Sequence, residues 1–208
     1  MNLKVVDNKK NSPDVDPRPP GLITRTAPSG SGPFSRSDVR VLSCSTMSEA
    51  TEQLGPKVGL VIEAGRVLGI EVRPMTFDEE TRTAADAARK VGCDVAQIVK
   101  SLVFEAEGHP VLFLVSGANR VDVTKGAAIA GVEMLDKADA EAARAATGFS
   151  IGATPPFGHA TRIPVYMDAD LLAFDEVWAA AGRPDSVFCV SPKKLQEATG
   201  APVVDLTA

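Results

Sequence analysis

The chain has 208 residues, 44% of them hydrophobic, enough to bury one good core, so a single domain plus a tail is expected. A formal charge of −5 argues against broad, backbone-driven nucleic-acid binding. Residues 1–46 carry seven Lys/Arg against four Asp/Glu, which leaves −8 on residues 47–208; such an acidic body binds RNA only through a restricted basic or backbone-lined pocket.

Residues 1–46 are rich in Pro, Gly and Ser between Asn11 and Arg36 and hold too few large apolar side chains to offset their ordering entropy. A disordered tail is expected there, and Met47 offers an alternative translation start. A domain is expected over 47–208. Leu54, Val58, Val61 and Ile62 recur at helical spacing, although Gly55-Pro56 leaves the start of that helix open. Ile70 to Met75 alternates like a strand, with Pro74 pushing it toward an edge or a strand end. Thr83 suits an N-cap three residues before Asp86, and Gly92 a left-handed C-cap.

Lys100–Glu105 and Val111–Ser116 are apolar runs joined by Glu105-Ala106-Glu107-Gly108-His109-Pro110, a hairpin signal. Short helices are expected over Asp122–Ile129 and Ala138–Thr147, ended by Gly131 and Gly148. Strands are expected over Ile163–Met167 and Val187–Val190. A last helix should start with Ser191 as N-cap and Pro192 at its first position. Helices interleaved with short strands and hairpins indicate a mixed α/β domain.

Three cysteines, Cys44, Cys93 and Cys189, are widely spaced, with no Cys-x-x-Cys and only two histidines. No metal site and no cofactor are expected, and the cysteine usage fits a reduced, cytoplasmic compartment. Cys189 reads as core and Cys93 as a small buried or half-buried side chain near a helix end. No apolar run approaches a membrane span, and no secretory signal is visible, so no membrane association is expected.

Two features carry the chemistry. Lys100 shares a strand face with Leu102 and Phe104, an unusual place for an ammonium group. Either its stem lies along the core with its head in water, or the ammonium sits at a pocket mouth and fixes an anionic or carbonyl-bearing ligand. The loop Gly152-Ala153-Thr154-Pro155-Pro156-Phe157-Gly158 is either a surface turn or a cradle of inward-pointing N–H groups from Gly152, Ala153, Thr154, Phe157 and Gly158. His159 follows it and could act as a general acid/base or a donor; a satisfied loop histidine fits as well. Asp122 and Lys125 could face a cleft, or be an N-cap and a solvated lysine.

The order of these motifs resembles the YbaK and prolyl-tRNA synthetase-associated domain family. The residues that carry the match are Thr81-Arg82-Thr83-Ala84, Ile98-Val99-Lys100-Ser101-Leu102-Val103-Phe104, Thr147 to Gly158, Pro164-Val165-Tyr166-Met167-Asp168 and Ser191-Pro192. The resemblance implies an α+β fold around a curved, largely antiparallel sheet with surrounding helices. It also implies an aminoacyl-tRNA deacylase of the free-standing kind, with Lys100 as the family lysine and Gly152–Pro156 as its GxxxP loop.

On that resemblance Lys100, Gly152 and His159 are the catalytic candidates, and Ala153, Thr154, Pro156, Phe157 and Gly158 the substrate-binding ones. The implied partners are the aminoacyl-tRNA 3′ end and a prolyl-tRNA synthetase, with no DNA. The alternatives are a non-catalytic tRNA- or synthetase-binding module of the same fold, and a hydrolase of another small ester or amide.

Overall fold

The computed structural model of the protein describes residues 54–208, so the expected tail 1–46 and the first residues of the expected domain lie outside the described residues. Helix α1 (Pro56–Val67) opens with Pro56 in its first turn, where the missing N–H costs nothing, so Gly55-Pro56 is the start of the helix. Val58 and Val61 are fully buried. Residues 70–73 alternate as expected, with Ile70 and Val72 buried between exposed Glu71 and Arg73. They form no ladder, however; strand β1 is Pro74–Thr76, starting where the strand was expected to end. It is an edge strand with proline as its first residue, a position where the lost donor is tolerated.

Helix α2 (Ala84–Val91) is capped by Thr83, whose hydroxyl accepts from the Asp86 N–H at 3.1 Å, and it ends at Gly92. The hairpin of β2 (Ile98–Ala106) and β3 (His109–Ser116) turns on two residues only. Glu107 and Gly108 both have positive φ, 50° and 80°, the twist that suits a tight hairpin, so the strands run longer than expected. Asp122 caps α3 (Val123–Ala130), and Asp139 caps α4 (Ala140–Thr147). Helix α4 starts later than expected because Leu135–Lys137 is a strand, β4, paired to β2. The remaining elements are β5 (Val165–Asp168), β6 (Val177–Ala180), β7 (Ser186–Val190), α5 (Pro192–Thr199) and β8 (Val203–Val204). Ser191 precedes α5 without a side-chain cap bond, and Pro192 alone sets the start.

Among the described residues eight strands form one open, mixed sheet in the order β1-β7-β6-β2-β3-β5-β8, with β4 also on β2. Four ladders are antiparallel and three parallel. Side-chain alternation along β2 splits the core in two. Val99 and Val103 face the larger cluster with Leu112, Leu114, Val61, Phe149, Phe157 and Leu195, covered by α1, α4 and α5. Phe104 faces the opposite cluster with Phe113, Val115 and Ala127, covered by α3, and Ile98 packs in a separate small cluster against Ala87 and Ala88 of α2.

Candidate functional site

The site begins with a break in the edge of β2. The Gly117 N–H donates to Ile98 O at 2.7 Å and continues the β2–β3 ladder, so even-numbered residues of β2 direct their N–H and C=O toward β3. Odd-numbered residues direct theirs to the other edge. There, β6 pairs with Ile98 and Val99, and β4 with Phe104 to Ala106; the Ala138 N–H reaches Val103 O at 3.2 Å. Between the two partners lies Ser101, whose N–H and C=O face a gap with no ladder. Its Oγ is also buried, with no hydrogen-bond partner among the described residues. Leaving such a hydroxyl unpaired costs about 1–3 kcal/mol.

A cleft of about 320 Å³ opens at this gap. Lys100, Ser101, Leu102 and Trp178 line it together with Ala84 and Ala87 of α2, and Gly152 and Thr154 line it from the loop side. Lys100 and the loop belong to opposite faces of the sheet and meet because the sheet edge is interrupted between them. The Lys100 Nζ donates to the Gly117 C=O at 3.2 Å and to the Asn119 C=O. Burial lowers its pKa, the Asp168 charge opposes that shift, and Arg120 adds to it.

A polar network holds this lysine. Asp168, only 1% exposed, accepts from the Ser116 N–H at 3.1 Å, from Asn119 Nδ2 at 2.8 Å and from the Asp170 N–H at 3.1 Å. Asn119 is thereby fixed, and with it the carbonyl that receives Lys100. Gly117 must be glycine, since a Cβ there would lie 2.1 Å from Val95 O. None of Ser116, Gly117 or Asn119 forms a motif in sequence, and they were not among the expected site residues.

The loop has two halves. Its base is pinned: the Ala160 N–H donates to Thr147 O at 2.9 Å and the Thr161 N–H to Ala146 O at 3.1 Å, while Lys57 Nζ donates to Gly148 O at 2.7 Å. In the front half Gly152 has φ +83°, a left-handed conformation that disfavours a side chain although no atom lies near its missing Cβ. The Ala153 N–H is used by Ser150 O at 3.0 Å, and the Thr154 hydroxyl turns to Ser150 O at 3.2 Å. The N–H groups of Gly152 and Thr154 have no partner among the described residues.

The back half is structural in its contacts. Phe157 is 5% exposed in the larger core cluster, its ring 5.7 Å from that of Phe188. Pro156 is buried, and Gly158 abuts Ala64 of α1. The His159 Nε2–H donates to Pro155 O at 2.9 Å, and burial lowers its pKa against the opposing effect of that bond. Pro156, Phe157, Gly158 and His159 line a separate shallow depression with Thr161 and Arg162. The structure thus brings Lys100, Gly152 and Thr154 to one cleft, leaves Ala153 buried behind it, and does not bring His159 there.

Other candidates resolve simply. Asp122 is the cap of α3, and Lys125 pairs with Asp205 at 3.0 Å and donates to Thr207 O, holding the C-terminal segment. Its hydrogen bond is the main cause that draws the exposed Asp205 down to about 2. Cys93 is half-buried as expected. Cys189, expected in the core, is also half-buried, because the odd position beside Trp178 faces outward from the main cluster. Burial raises both thiols, Cys189 to about 11 with help from Glu176, so neither is an activated nucleophile. Among the described residues no cluster of three His, Cys, Asp or Glu could hold a metal ion, and no helix is long and apolar enough to cross a membrane.

Arg82, exposed at the cleft wall, and Arg120, exposed beside Lys100, make no ion pair among the described residues. Arg183 is committed to Asp185 by two bonds, of 2.9 and 2.5 Å.

Known proteins share this sequence pattern and this fold. The family profile of the aminoacyl-tRNA editing domain matches residues 78–198, which include the whole cleft. A crystal structure of a protein proposed to be a trans-editing enzyme for prolyl-tRNA synthetase is 45% identical, with a TM-score of 0.70 over 74% of this chain and 98% of its own. A hypothetical protein of known structure is 29% identical, with a TM-score of 0.67 over 72% of this chain and 99% of its own. The uncharacterized Bacillus subtilis (strain 168) protein YwhH is 33% identical over 122 residues, 58% of this chain and 77% of its own length.

Proposed function

The chain belongs to the aminoacyl-tRNA editing domain family, and on that premise we propose that it is a free-standing deacylase. It hydrolyses the ester of a small wrong amino acid on the 3′ end of tRNA(Pro), in the cytoplasm and in company with prolyl-tRNA synthetase. The observation that carries this is the pair of unpartnered N–H groups, Gly152 and Thr154, in the same cleft as Lys100. They donate to the carbonyl oxygen of the ester and bind it more strongly as negative charge develops on it, a contribution of about 3 kcal/mol per donor. Their rigid setting makes the contribution available without rearrangement, because the loop base and its back half are fixed before substrate arrives.

Lys100 works from the other side of the break. Two of its three N–H donors are held by main-chain carbonyls, and the third is left for the phosphate of the terminal nucleotide. Arg82 at the cleft wall adds a second cation for the same strand. The attacking group is water, assisted by the free ribose hydroxyl of the terminal adenosine. Discrimination comes from the volume of the cleft, where one methylene is worth about 1–3 kcal/mol. His159, on the far side of the loop, staples the turn at Pro155.

The bound state of Lys100 Nζ also suits a module that binds tRNA without turnover, the lysine then serving only to tie β2 to the 117–119 turn. A panel of tRNA(Pro) species charged with alanine, serine, cysteine and threonine separates the two. Deacylation of at least one species by the wild type, with a loss of about 100-fold in Lys100→Ala, is expected. Binding of tRNA without deacylation of any species contradicts the enzyme; full activity in Lys100→Ala contradicts the role of the lysine.

A further inference from the structure

The mechanism above leaves one part of the cleft unused. Ser101 is flanked on its strand edge by β6 up to Val99 and by β4 from Phe104, so its own N–H and C=O face the cleft without a ladder partner among the described residues. Its Oγ, buried to solvent, has no partner among the described residues, and the residue lines the cleft. Ala180, the last residue of β6, lines the cleft beside it. One extended residue therefore presents a carbonyl acceptor, a hydroxyl and an amide donor within a single residue's length.

An α-amino acid ester carries the complementary set on adjacent atoms: an amino group that donates and a carbonyl that accepts. This is the spacing by which one strand residue pairs with another. The amino group of such an ester is largely an ammonium near neutral pH and needs oxygen acceptors. Lys100 does not oppose it, because side chains 100 and 101 leave β2 on opposite faces and the lysine is turned to the Gly117 and Asn119 carbonyls.

We propose that Ser101 is the residue that recognises the α-amino group of the substrate. Its C=O and Oγ accept from the amino group while its N–H faces the ester carbonyl, beside the donors of Gly152 and Thr154. The cleft then selects free α-amino acid esters over N-blocked or hydroxy-acid esters. This inference rests on the deacylase reading given above.

The test uses the full-length, ¹⁵N-labelled protein and two hydrolysis-resistant probes, 3′-alanylamino-3′-deoxyadenosine and its N-acetyl derivative. The Ser101 amide resonance is expected to move with the free-amine probe, and the N-acetyl probe to bind about 100-fold more weakly. Ser101→Ala is expected to weaken the free-amine probe by about 3–10-fold, the effect of one neutral hydrogen bond, and Ser101→Thr to restore it. Neither substitution should change the affinity for the N-acetyl probe. Movement of the Gly152 and Thr154 amides without Ser101, with equal binding of both probes, overturns the inference and leaves the deacylase reading standing. No movement of any cleft amide with either probe overturns both.

Discussion

The two halves of the loop between α4 and β5 are neighbours in sequence and opposites in physics. Among the described residues Gly152–Thr154 keeps two N–H groups unpaired in a cleft, whereas Pro155–His159 buries a phenyl ring, packs against α1 and satisfies its histidine internally. Unsatisfied donors survive only where the surrounding structure fixes them. The back half supplies that fixity and the front half exposes it. A Gly/Pro-rich run is therefore misread as a uniform cradle; the prolines divide it.

Substitutions can break the comparison at either half. The largest expected effect is in the anchor: Phe157→Ala empties a buried aromatic site and should cost about 3–5 kcal/mol in denaturant unfolding. A loss below 1 kcal/mol would mean that the back half is not holding the loop. Next is the lysine clamp. Asp168→Ala strands the Ser116 N–H and the Asn119 amide, and about 2–3 kcal/mol of stability should go with them. Because the Asn119 carbonyl receives Lys100, tRNA affinity should fall in the same variant even where the fold persists. Unchanged affinity would detach Asp168 from the site.

The smallest effect concerns His159. Its pKa in the folded chain lies below the ordinary imidazole value, so the unfolded chain takes up the proton first as pH falls. Its contribution to stability is complete above the unfolded value of about 6.5 and is lost as pH drops through the window down to the folded pKa. His159→Asn should flatten the stability–pH curve in that window by less than about 1 kcal/mol and leave deacylation at neutral pH unchanged. A large loss of turnover at neutral pH would return the histidine to the chemistry.

Local signals made much of this legible from sequence. Thr83, Asp122, Gly92, Gly131 and Gly148 mark helix ends through their own side chains or their lack of one, and each lies where expected. The hairpin and the apolar face of Lys100 followed from alternation. What was not legible is non-local. Strands β4, β6 and β8 are two to four residues long, too short for a pattern, and are strands only because β2, β7 and β5 offer edges. The cleft depends on the interval that β6 and β4 leave uncovered at Ser101, which no reading along the chain could reveal. Asn119 and Asp168 are 49 residues apart and meet only through the β3–β5 pairing. The separation of His159 from the cleft likewise follows from Phe157 turning into the core between them.

The most direct test of the division is single-turnover deacylation of mischarged tRNA(Pro) by wild type, Gly152→Ala and Phe157→Leu. A methyl group at φ +83° should displace the Gly152 N–H and lower the rate about 100-fold with little change in tRNA affinity. Phe157→Leu should keep the wild-type rate while lowering the melting temperature. The reverse pattern, an active Gly152→Ala and a Phe157→Leu that is folded yet inactive, would contradict the account.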